Sequence, residues 1–238
     1  KDSSLRLIDL FNDISEKNFL NIFYNFDLKD NAILKNYKVD KFENKNIKYS
    51  FNNIDQEKNS ISETFILSAG SKFFKNEINC NLKGKYSSAF VNGIFSINND
   101  KHHEIRSIIN HLTENTKSYQ LVKSVLEGDS KAVYQGKIFV NSDAQKTDGY
   151  QLSKAILLNE NSEFNAKPEL EIYADDVKCS HGSASGSLNE DSIFYLMSRG
   201  LNYNQSRELL INGFLLDVVE KITDPEIKNL IKNMIGIK

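Results

Sequence analysis

From about Asn31 to Ala174 the chain reads as short β-branched and aromatic runs in which apolar and polar positions often alternate, broken by Asn, Asp, Gly and Lys. In ISETFILSA the apolar set is Ile61, Phe65, Leu67 and Ala69, and around Gly136 it is Tyr134, Ile138 and Val140. Alternation marks half-buried strands, and many short strands predict a sandwich, a barrel or a β-solenoid. No fixed-period repeat stands out, so the pattern alone leaves these three open. Two stretches depart from it. Residues 4–22 read as helix, making residues 1–30 a partly helical N-terminal segment. HHEIRSIINHL, residues 102–112, sets Ile105, Ile108, Ile109 and Leu112 on one helical face, which predicts a helical excursion from a β body spanning residues 31–186.

After Gly186 the punctuation becomes that of helices. Asn189 is placed to cap a helix through Arg199, with Leu188 and Ile193 as a hydrophobic staple and Gly200 just past the end. Asn202 with Gln205 three residues later has the form of a capping box. It opens a second helix with an apolar stripe of Leu209, Leu210, Phe214, Val218 and Ile222. Asp224 before Pro225 starts a third. Residues 187–238 are thus expected to form a small helical domain after a mainly β core.

Composition narrows the function. With 30 Lys and Arg against 32 Asp and Glu, the net charge of −2 gives no field that would gather nucleic acid or anionic lipid. Cys80 and Cys179 match neither a disulfide framework nor a CxxC knuckle, which favours a reducing compartment. No apolar run approaches the length of a membrane span, and KDSSLRLIDL lacks the apolar core of a secretory signal, so a soluble intracellular protein is expected. A start at Lys1 rather than Met is what a chain lacking an upstream domain would show. Phosphate loops, GxGxxG, HExxH and GxSxG are missing, so ATP binding by this chain is not expected.

The candidate chemistry lies at Cys179-Ser180-His181. In an extended strand, residues i and i+2 project from one face, so a thiolate and an imidazole can meet one metal. One Cys and one His supply half of a usual four-ligand set, and the rest must come from elsewhere. The plainer alternative has Cys179 packed as a small apolar residue and His181 making an ordinary hydrogen bond. Asp175 and Asp176 point to opposite faces of a strand and suit a turn better than acid/base work; apolar parity flips there, which implies a bend or bulge. His102, His103 and His111 read as surface or capping histidines.

The segment YADDVKCSHGSASGSLNEDSIFYLMSRGL resembles the C-terminal signature of the SufD branch of the SufB/SufD family of iron–sulfur cluster assembly proteins. SVLEGDSKAVYQGKIFVNSDAQKTDGYQLSKAILLNENSEFNAKPELEIYADDVKCSHG resembles the same family in order and spacing, and DNAILKNYKVD and NEINCNLKG echo it more faintly. The likeness covers residues 20–222. Met197 stands where the family's FYLRSRG has Arg, and Ser183-Ala184 where it has Ala-Thr.

This resemblance implies a right-handed parallel β-helix core and a C-terminal helical domain that docks the ATPase SufC. It implies a non-catalytic scaffold that pairs with SufB through the ends of the two β-helices, with a nascent iron–sulfur cluster forming at the junction and ATP hydrolysed by SufC. His181 falls on the family's implicated histidine and Cys179 on its neighbouring cysteine. Tyr195, Arg199 and Phe214 are the candidates for SufC docking. A bacterial cytoplasm or a plastid is the expected compartment, and a homodimer is one assembly open to the isolated chain. A polysaccharide-acting solenoid enzyme would need clustered carboxylates that the sequence lacks. An interaction module with a purely structural Cys-x-His pair is the competing reading.

Overall fold

Successive strands alternate between two parallel sheets, so the chain winds as a solenoid with two strands per turn. The computed structural model describes residues 1–11 and 18–237. Its strands are β1 (Ser4–Leu10), β2 (Phe19–Leu28), β3 (Ile33–Asp40), β4 (Ile47–Gln56), β5 (Ile61–Ser68), β6 (Phe73–Leu82) and β7 (Ser88–Ile97). They continue as β8 (His102–His111), β9 (Lys117–Leu126), β10 (Lys131–Val140), β11 (Asp148–Leu157), β12 (Glu163–Ile172) and β13 (Lys178–Gly186). Odd-numbered strands form a seven-stranded sheet ordered β1-β3-β5-β7-β9-β11-β13, and even-numbered strands a six-stranded sheet ordered β12-β10-β8-β6-β4-β2. The described residues thus make about six turns of a mainly parallel β-solenoid.

Each turn stacks on the last in strict register. Leu34 pairs with Ser62, and the column continues through Ala89, Ser118, Gly149 and Cys179, successive members standing 27 to 31 residues apart. Many turns at the corners need a left-handed residue, and Asn31, Asn59, Asn99 and Asn115 supply it at φ near 60°. Amide ladders add lateral bonds: on the outer face of the six-stranded sheet, Asn53 donates to Asn25, Asn79 to Asn53 and Asn110 to Asn79.

The interior mixes an apolar core of Leu34, Ile54, Phe74, Ile78, Phe95, Ile105 and Ile109 with fully buried polar residues. Each buried polar group needs a partner. Lys48 Nζ reaches Asp40 at 2.9 Å with both side chains buried, and Asp40 also accepts from the Ser71 backbone N–H and hydroxyl.

The two helical expectations within residues 1–186 fail. Residues 4–10 and 19–22 are strand, and residues 12–17 of that stretch lie outside the described residues. Residues 102–111 are strand β8. Its inward positions are His103, Ile105, Ser107, Ile109 and His111, all buried, and the polar three are satisfied inside the core. His103 meets Ser68 Oγ and the Ser71 carbonyl, each at 2.7 Å, and His111 meets Thr116 and Ser118. With polar residues on the inside, the isoleucines alone trace a helix-like spacing. His103 and His111 are therefore core histidines rather than surface or capping ones. The alternation in β5 is real but faces outward: Phe65 and Leu67 point away from the solenoid axis, while Ser62, Thr64 and Ser68 are within.

That outer face is covered by the C-terminal helices α2 (Tyr203–Val219) and α3 (Pro225–Ile235), and α1 (Glu190–Ser198) packs on α2. Asn189 caps α1, Asn202 and Gln205 form a complete capping box on α2, and Asp224 caps α3. Tyr37, Val39, Phe65, Leu67, Ile94 and Leu121 pack against Leu215, Val218, Val219, Ile222, Ile227 and Ile231. Of the expected stripe, Val218 and Ile222 are buried and Phe214 packs against this core, whereas Leu209 is exposed and Leu215 and Val219 are buried beside them.

Candidate functional site

The C-terminal end of the solenoid carries two unpaired strand edges, β12 on one sheet and β13 on the other. The Glu163 N–H bonds the Ser130 carbonyl and the Tyr173 N–H that of Val140, so odd positions of this segment donate toward β10. Backbone groups of the alternate residues Pro168, Leu170 and Ile172 face the free edge. Pro168, which has no N–H, sits where none is needed within the sheet. Asp175 and Asp176 form the corner between β12 and β13, so the expected bend or bulge is a bend, the passage from one sheet to the other.

On β13 the sequence motif takes a definite orientation. Gly149, Gln151 and Ser153 of β11 are buried inward positions, and their register partners are Cys179, His181 and Ser183. Ser153 Oγ donates to Ser183 Oγ at 3.0 Å, which fixes the shared face. Cys179 and His181 thus project from one side of the strand, toward the open end of the solenoid interior.

The two residues meet different surroundings. Cys179 is half-buried against Ile138, Val140, Ala144, Leu170, Ala174 and Val177. Burial pushes its thiol up from the usual range, with the Gly149 backbone opposing the shift. Because the thiolate is the metal ligand, this setting makes Cys179 a reluctant one. His181 is exposed and makes no hydrogen bond or ion pair among the described residues. No group of three or more His, Cys, Asp or Glu among the described residues is placed to hold a metal. His181, joined at most by Cys179, supplies only part of a metal's usual ligand set. Cys80 is different: it is fully buried, and desolvation pushes its thiol up to about 12, so it is core packing.

The docking candidates separate. Tyr195 is 56% exposed, with the Arg199 guanidinium 5.2 Å from its ring centre. Phe214 is instead turned onto the β body, where Lys123 Nζ lies 4.6 Å from its ring centre and donates to its carbonyl. Sequence reasoning missed Phe194, which at 75% exposure is the most open large apolar residue of α1; Met197 on α1 and Tyr203 and Leu209 on α2 are exposed as well. The signal was available: in a helix whose inward anchor is Ile193, the next residue stands about 100° off the buried face.

Geometry defines a class, a parallel β-solenoid that offers two open edges and an unpartnered histidine at one end. Comparison gives the family. The chain matches the SUF system FeS cluster assembly, SufBD core domain over residues 1–214, and belongs to that family. It is 32% identical over 177 residues to the iron–sulfur cluster assembly protein SufD of Escherichia coli, covering 74% of this chain and 41% of that protein. It is 33% identical over 211 residues to the chloroplastic protein ABCI7 of Arabidopsis thaliana, covering 87% and 44% respectively. A SufBD family protein of Synechocystis is 43% identical over 103 residues, 43% of this chain and 23% of that one. The chain spans less than half the length of these relatives. No described helix is long and apolar enough to cross a membrane.

Proposed function

We propose that the chain is a scaffold subunit of iron–sulfur cluster assembly. In this reading β12 and β13 pair with the β-helix end of a SufB subunit, His181 contributes a ligand to a nascent cluster at the junction, and SufC docks on α1 and the exposed side of α2 and hydrolyses ATP. The cluster is cargo, and SufB supplies most of its ligands. The observation that carries the reading is His181: exposed, unpartnered, facing inward on the last strand, and on the histidine of the family motif. Free strand edges are covered in a working assembly, and β-augmentation by a partner strand covers them with backbone bonds alone.

Within this scheme the chain positions and does not react. The sheet holds His181 at a fixed register, Gly182 after it lets the Leu152 side chain approach closely, and the apolar cluster around Cys179 keeps water from the floor of the site. Cys179 is a neighbour of the site rather than its main ligand. A second reading, an interaction module with a structural Cys-x-His pair, draws on the packing of Cys179 and on the lack of a three-ligand group among the described residues.

Co-expression with SufB and SufC decides between them. His181→Ala should leave the three subunits together and the melting temperature nearly unchanged, because truncating an exposed side chain costs about 0.5 kcal/mol or less. Iron and acid-labile sulfide in the purified complex should fall at least tenfold, and Cys179→Ala should reduce them less. Full cluster yield from His181→Ala would remove the proposal and leave the interaction module.

A further inference from the structure

Below His181, one turn down in the same inward column, lies Gln151. Its side chain is fully buried, and its Oε1 has no hydrogen-bond partner. Orientation of the carboxamide follows from chemistry: the group facing the Glu169 carbonyl at 3.3 Å must be the donor Nε2, which leaves Oε1 as the free acceptor. A buried, unsatisfied carbonyl oxygen costs roughly 1–3 kcal/mol, so its retention calls for a reason.

The surroundings are shaped to keep this oxygen in place. A Cβ added at Gly136, across the interior on β10, would overlap Gln151 Oε1 and lie 2.5 Å from Tyr134 Oη. Glycine in a strand interior is unfavourable, and here its missing side chain is the space the carboxamide fills. The next residue down the column, Gln120, accepts from Ser107 and Tyr134, and its Nε2 is likewise unpartnered. The neighbours of Gln151 in the column each carry a donor without a partner among the described residues: the amide of Gln120 below and the ring N–H of His181 above.

We infer that Gln151 is a positioning residue for His181, its Oε1 accepting the imidazole N–H so that the other ring nitrogen stands bare toward the open end of the solenoid. A metal-binding histidine needs a neutral ring with its ligating nitrogen unprotonated, and an acceptor on the opposite nitrogen selects that tautomer and holds the ring still. Exposed and otherwise unpartnered, the His181 ring is free to rotate into this bond. The inference rests on the proposed role of His181 for its purpose, but the hydrogen bond itself does not.

The test reads the tautomer directly. The full chain, labelled with nitrogen-15 at histidine and held at about pH 8 without iron, gives ring signals for His181 and for the buried His103 and His111, which report whether the core is intact. Wild type should show one dominant His181 tautomer, and Gln151→Met, close in size but with no acceptor, should shift the ratio roughly fivefold toward the other form, the scale of one net hydrogen bond. An unchanged ratio with intact His103 and His111 signals would overturn the inference and give the Gln151 oxygen to Gln120. Should Gln151→Met fail to fold, Gln151→Leu, a smaller side chain that likewise lacks an acceptor, reads the same ratio with the same two outcomes. If the tautomer responds but His181→Ala still assembles clusters, the proposed function falls and the positioning stands; the reverse result separates them the other way.

Discussion

At the scale of single residues the interior is defined by desolvated polar groups, and two of them, His103 and His111, are held by partners. His103 and His111 show the consequence for pH. Burial pulls the His103 ring down to about 4, opposed by the Ser71 carbonyl and Asp40, and burial alone pulls His111 down to about 3. Both rings are neutral in the fold, whereas in the unfolded chain each takes a proton near pH 6.5. Between pH 6.5 and the folded values the unfolded state binds more protons, so stability is full above about 6.5 and is lost as pH falls. By pH 5 the loss is roughly 2 kcal/mol per histidine, and the melting temperature should drop by several degrees from its value at pH 7. Ring C–H signals of the folded protein should stay in the neutral position over that range; a flat melting temperature would contradict the assignment. These same residues explain what could not be read from the sequence. His103, Ser107 and His111 occupy inward positions that hydrophobicity treats as outward ones, so β8 was legible only as a row of isoleucines.

At the scale of elements, legibility followed how local the determinants are. Helix ends are written in a few adjacent residues, and the caps at Asn189, Asn202 and Asp224 were readable because each side chain bonds an N–H two or three residues on. Strand pairing joins residues 26 to 32 positions apart, and the column from Leu34 through Ser62 and Ala89 to Cys179 changes chemistry at almost every step, so the repeat left no signature in residue type. The solenoid came from the family resemblance, and register then gave it physical form. The motif at Cys179 and His181 was legible as a same-face pair, but not its unequal setting, which depends on Ile138 and Leu170 from the opposite sheet. Edge polarity yields a specific expectation for β12. Ile172 has its N–H on the free edge, so Ile172→Pro deletes a donor offered to a partner while sparing the bonds to β10. SufB affinity measured by calorimetry should weaken about tenfold with a melting temperature shift of only a degree or two; unaltered affinity would mean that this edge is not the junction.

For the molecule as a whole, the helices serve the solenoid before they serve any partner. The seven-stranded sheet presents Tyr37, Phe65, Leu67 and Ile94 outward, and α2 and α3 cover them. Removing the helical unit would therefore strip a core as well as the proposed docking surface, and lost SufC binding after such a deletion would not locate the contact. Point changes can. Phe194 and Tyr195 belong to α1, which packs on α2 and leaves both rings in solvent, while Leu215 is buried at the sheet. Phe194→Ala with Tyr195→Ala should weaken SufC binding by about 2 kcal/mol or more, near thirtyfold, as truncated aromatic anchors do, and should leave the melting temperature within about two degrees. Leu215→Ala should do the opposite at the level of stability, costing about 2–5 kcal/mol through the cavity it opens, with SufC affinity of the folded fraction retained. Calorimetric titration of each variant with SufC, beside its thermal melt, separates the two roles. Undiminished binding by the aromatic double variant would move the docking surface off α1 and onto the side of the solenoid that the helices leave bare.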